Sequence, residues 1–167
     1  MFSFPDPVNE KAARVVAGVV CVLAIATLAT GWHWMLVVLA YGFWARTLTG
    51  PTLSPLGRIA TSVVAPRLGA PRSVPGPPKR FAQAIGAALT TAAAVLCLGF
   101  GADAAAGLLV ALLVVAASLE ALLGLCVGCR VFALLMRAGV VPDAVCERCA
   151  DLRAAPVASA APARRAS

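Results

Sequence analysis

Residues 104–129 read AAAGLLVALLVVAASLEALLGLCVGC, an apolar run from Ala104 to Leu125 that holds one acid, Glu120, and ends in a Cys-x-x-Cys pair. A helix needs about 20 apolar residues to cross the hydrocarbon core of a bilayer. This run is therefore read as a membrane span with a cysteine site at its end. Outward from it, Phe81 to Phe100 is alanine-rich and uncharged, and Ala12 to Thr30 is interrupted only by Arg14. The flank Asp6-Pro7-Val8-Asn9-Glu10-Lys11 lacks the basic start of a signal peptide and offers Asn9 as a helix cap, so the first run reads as a retained helix. Trp34 to Trp44 reaches span length only when widened from Trp32 to Leu48. Its tryptophans and Tyr41 then fall at the two interfaces, where aromatic belts form.

Composition points the same way. The 167-residue chain is 61% hydrophobic and 13% charged, against about 45–50% and about 25% in soluble domains. A soluble domain of this length cannot hide that much apolar surface. The expected fold class is an all-α membrane protein, a four-transmembrane-helix bundle with spans at about 12–30, 32–48, 81–100 and 104–125. Small residues such as Gly86, Ala87, Ala93, Gly107 and Ala117 allow close helix packing in lipid.

A net charge of +7 would suggest nucleic acid in a soluble protein. Here the basic residues flank the spans instead. The turns 30–34 and 100–103 hold no Lys or Arg, whereas 46–80 holds six and the stretch after Cys126 six more. By the positive-inside rule both termini and the central loop face the cytoplasm of a bacterial inner membrane, with lipid as the surrounding partner and no nucleic acid. In the central loop, Leu56, Ile59, Ala60, Val63 and Val64 recur at helical spacing after Ser54-Pro55, which predicts a short interfacial helix over 54–64. Pro66 to Pro78 reads as an extended strap. The chain is thus one membrane domain over 1–153, closed by a cytoplasmic cysteine hairpin over 126–153, with a low-complexity tail at 154–167 expected to be disordered.

The most specific signal is a constellation of four cysteines. Cys126-Val127-Gly128-Cys129 and Cys146-Glu147-Arg148-Cys149 stand sixteen residues apart, within the spacing at which paired Cys-x-x-Cys units hold zinc. Four thiolates satisfy a tetrahedral ion, and a Zn site or, less readily, an Fe-S cluster would suit them. Either pair could instead cycle between dithiol and disulfide, with Arg130 and Arg148 favouring the thiolate. A reducing cytoplasm disfavours a permanent disulfide. Gly139 and Pro142 predict a helical hairpin whose second arm, opening at Pro142-Asp143, carries Cys146 and Cys149. Cys21 and Cys97 read as apolar fillers at depths too different to pair. Glu120, costly inside a span, is expected to pair with Arg14 or Arg46. His33 reads as an interfacial anchor.

Several of these stretches together resemble a family of small bacterial integral membrane proteins described as a domain of unknown function. They are Asp6-Pro7-Val8-Asn9-Glu10 with Arg14, Gly50-Pro51 with Ser54-Pro55-Leu56, Lys79-Arg80-Phe81-Ala82-Gln83, and Glu120 leading into the two cysteine pairs. The resemblance covers roughly residues 5–150 and implies association with thioredoxin-like or rhodanese-like proteins. The functional expectation is thiol redox, sulfur handling or metal binding at Cys126, Cys129, Cys146 and Cys149, beside a soluble thiol-active partner. A membrane scaffold clamped by structural zinc is the alternative. A small transporter comes last, since the spans offer only Glu120 and a few hydroxyls as a polar path.

Overall fold

Local signals place most helix ends. A computed structural model describes residues 6–70 and 72–146. Helix α1, Glu10–Thr30, starts where the Asn9 side chain accepts the Lys11 N–H at 3.0 Å. It stops at Gly31, whose φ of 67° suits a residue without Cβ. Helix α2, Met35–Thr49, follows after a tight turn. Ser54 then accepts the Gly57 N–H and Pro55 occupies the first turn of α3, Pro55–Ile59. The chain stays helical through a π-helical stretch, Ala60–Val64, and α4, Ala65–Arg67. Where the sequence predicts a short helix over 54–64, the chain is helical over 55–67.

Helix α5, Gly76–Ala94, runs on into a π-helical end, Val95–Gly99. It begins five residues before the expected Phe81, because proline is tolerated in a first helical turn and Pro77 and Pro78 stand there. Lys79 and Arg80 are therefore helical. Helix α6, Asp103–Leu123, breaks at Gly124, and α7, Val127–Arg137, follows. The second arm of the expected hairpin is, within the described residues, only a 3-10 turn at Asp143–Val145 with Cys146 beyond it. Cys149 and the tail 154–167 lie outside the described residues.

Three helical stretches, Glu10–Thr30, Gly76–Gly99 and Asp103–Leu123, are long and apolar enough to cross a membrane, and α2 is apolar but shorter. The four pack around a shared core, α1 chiefly on α6 and α2 chiefly on α5. Ala24, Ala87 and Ala93 are completely buried at its close approaches, beside Val20, Leu36, Leu39 and Val110. The opposite faces carry exposed leucine and valine, among them Val22, Val38, Leu108 and Leu122. Such a contiguous exposed apolar surface is a liability in water and ordinary in lipid.

One end of the bundle is tied together by polar contacts. Part of the strap expected over 66–78 is a two-residue strand: β1, Val8–Asn9, pairs antiparallel with β2, Ser73–Val74. The Glu10 N–H donates to the Arg72 carbonyl at 2.8 Å, and Arg72 Nε lies 3.0 Å from Glu10 Oε2. Arg14 reaches across to donate to the carbonyls of Ala121 and Leu122, at 3.1 and 2.9 Å from Nη2. A cation there complements the negative end of the α6 dipole. The start of α1, the start of α5 and the end of α6 therefore meet at this end.

Candidate functional site

The break at Gly124 creates the site. Its φ of 68° ends α6, and its N–H donates to the Glu120 carbonyl at 3.1 Å. The chain then turns so that Cys126 becomes the residue capping the N-terminus of α7, in extended conformation, with Cys129 in the first turn. On one continuous helix the two would have been a simple extension of the span. Helix α7 buries Gly128, Phe132 and Met136 along one face. That face packs on α5, where the Phe81 and Phe132 rings lie 5.6 Å apart, within the range of favourable aromatic pairs. Gly128 sits directly against Ala82.

Beneath the cysteines lies an ion pair. Lys79 Nζ donates to Glu120 Oε1, and both side chains are largely buried. This corrects the expected pairing of Glu120 with Arg14 or Arg46. Arg14 is spent on α6 carbonyls. Arg46 is buried over the Phe43 ring and donates from Nε to Gln83 Oε1 at 2.8 Å. Lys79 was missed because a Lys-Arg pair before an apolar run reads as a flank; the signal was Pro77-Pro78, which moves the helix start ahead of it.

The electrostatics divide the two thiols. A hydrogen bond from the Cys129 thiol holds Cys126 below the ordinary thiol value, and the Lys79 charge adds to this against burial and Glu120. Cys129, the donor, is pushed well above that value by the same bond and by burial. A helix N-terminus also favours a thiolate. Both cysteines are free thiols that line an open pocket of about 360 Å³ together with Arg72, Lys79 and Arg130. The arrangement presents one activated sulfur with a protonated sulfur one turn away.

The other expected site residues are less assembled. Cys146 is buried among Phe132 and Met136 and is disulfide-bonded, which departs from the expectation of a reduced second pair. With Cys149 outside the described residues, the four sulfurs are not seen around one centre. Cys21 and Cys97 are free, as expected, and Cys21 lies 3.1 Å from the Ser118 hydroxyl.

A family described as Domain of unknown function (DUF4395) matches residues 8–137. No curated protein and no solved structure matches the chain.

Proposed function

Because the chain belongs to the DUF4395 family, a domain of unknown function, we propose a role drawn from its own thiol geometry: a four-span membrane protein whose Cys126–Cys129 pair performs dithiol–disulfide exchange. The carrying observation is Cys126 at the α7 N-terminus, its thiol lowered by Cys129 in the first turn of the same helix. In the exchange, the Cys126 thiolate attacks one sulfur of a partner disulfide. That S–S bond breaks, a mixed disulfide forms, and the other partner sulfur leaves and takes up a proton. Cys129 then attacks the Cys126 sulfur, closes the Cys126–Cys129 disulfide, and passes its proton to the second departing sulfur. Two electrons have moved from this pair to the partner.

The reverse sequence, with a soluble thioredoxin-like dithiol as reductant, restores the pair. Of the cations around the pocket, Arg72 and Lys79 are paired with Glu10 and Glu120, so Arg130 is the one that favours an acidic group on a thioredoxin-like or rhodanese-like partner. The dense Lys and Arg flanks support a bacterial inner membrane, with this end of the bundle and both termini in the cytoplasm.

The test is trapping. Cys129→Ser should accumulate mixed disulfides through Cys126 that reductant releases, and Cys126→Ser should accumulate none. A stoichiometric zinc or iron ion lost both in Cys126→Ser and in Cys146→Ser/Cys149→Ser would replace this reading with a four-thiolate metal site.

A further inference from the structure

At the end of the bundle opposite Cys126, we propose a second site, in which His33, Cys97 and Asp103 bind a divalent metal ion of the zinc type. The three come from two separate turns: His33 from the connection between α1 and α2, Cys97 from the π-helical end of α5, and Asp103 from the first residue of α6. Among the described residues they are the one cluster of three His, Cys, Asp or Glu side chains whose donor atoms all lie within 4.8 Å of one another. Cys97 Sγ is 2.9 Å from Asp103 Oδ1, and His33 Nε2 is 3.9 Å from the same oxygen. Zinc binds sulfur at about 2.3 Å and nitrogen or oxygen at about 2.0–2.2 Å, so tetrahedral donors stand roughly 3.3–3.8 Å apart. The separations of 2.9 and 3.9 Å bracket that range, and binding requires rotation of the half-buried His33 and the exposed Asp103 side chains.

The backbone supplies an independent reason. Val95–Gly99 is π-helical, and such turns recur at functional sites because the wider turn re-aims side chains. The wider turn here ends with the Gly101 N–H on the Cys97 carbonyl at 3.1 Å and the Ala102 N–H on the Leu96 carbonyl at 2.8 Å. It leaves Cys97 buried and facing Asp103. An apolar filler role explains neither the π turn nor a thiol donating to a carboxylate. Binding would replace the Cys97 thiol proton by the ion and release that proton to water. Asp103, the most exposed of the three, leaves the ion reachable from solvent, with a water as fourth ligand. Thiolate with imidazole and a single carboxylate selects zinc over magnesium or calcium.

The test uses cobalt(II) as a visible zinc substitute on detergent-purified protein in which Cys126, Cys129, Cys146 and Cys149 are all serine, so that only Cys21 and Cys97 remain. One cobalt per chain with a thiolate-to-metal charge-transfer band, displaced by zinc, is expected; Cys97→Ala should abolish the band, and His33→Gln or Asp103→Asn should weaken binding. No band, or a band that survives Cys97→Ala, overturns the proposal. Should the serine variant fail to fold, alkylation of Cys97 is followed by peptide mapping in the otherwise unmodified protein. Zinc should protect Cys97 there, and His33→Gln should abolish that protection. Equal alkylation with and without zinc overturns the site.

Discussion

Gly128 of α7 lies so near Ala82 of α5 that a Cβ placed on it would stand 2.5 Å from the Ala82 Cβ and 2.6 Å from its Cα. Backbone lies in the way, so neither helix can yield locally. The glycine inside the Cys-x-x-Cys pair thus permits the close approach of α7 to α5, the helix that carries Lys79.

Gly128→Val should therefore lift α7 from α5. Overpacking of this kind costs about 1–3 kcal/mol. A fall in the unfolding temperature in detergent, with Cys126 alkylation changed in the same variant, is the expected outcome. Wild-type values for both would show that the close approach is not required.

Glu120→Gln should destabilise more. It leaves the Lys79 ammonium, only 7% exposed, without its carboxylate, and breaking a buried pair costs about 3–5 kcal/mol. Lys79→Met combined with Glu120→Leu should recover much of the loss, because removing both charges removes the unpaired one. Wild type, Lys79→Met, Glu120→Leu and the double variant form a double-mutant cycle, read by thermal unfolding, and additive losses would deny the pairing.

The pH dependence follows from the opposed thiol shifts. Cys126 titrates below its unfolded value, so it adds stability above that value and loses it as pH falls through the lower, folded one. Cys129 is shifted upward, so its contribution is present below the ordinary thiol value and lost as pH rises. In alkylation against pH, the midpoint for Cys126 should fall below the ordinary thiol range. Cys129→Ala removes the donor that is the largest cause of that shift, and the midpoint should climb. An unchanged midpoint would mean that another group sets the thiol.

Membrane orientation is checked with reporters. A fusion after residue 146 should be active only in its cytoplasmic form, and one in the Thr30–Trp34 turn only in its exported form. The reverse pattern would place the thiols outside and remove a cytoplasmic partner from consideration.

Hydropathy alone made the long helices legible, since lipid leaves little else for such runs to do. Asn9 and Ser54 mark helix starts because capping is local chemistry, whereas Gly31 and Gly124, which end α1 and α6 in left-handed backbone, do not stand out among the other glycines of the apolar runs. What escaped was rotation about each helix axis. Glu120 lay at the right depth for Arg14 and Arg46, but depth does not say which way a side chain turns, and Lys79 holds it. His33 and Asp103 are seventy residues apart and meet only because two turns share one end of the bundle. Within the cysteine constellation the first pair was readable as a helix-terminal dithiol only once the helix was known to break at Gly124.

The strongest packing partners are α1 with α6 and α2 with α5, so neither half of the chain keeps its main contacts to itself. During synthesis the first two helices emerge before most of the surface they will rest on has been made. They must wait, apolar and only lightly joined, until residue 123 has emerged. A chain divided between Arg67 and Arg72 and expressed as two pieces has the means to reassemble, since the seam runs between the halves rather than within them.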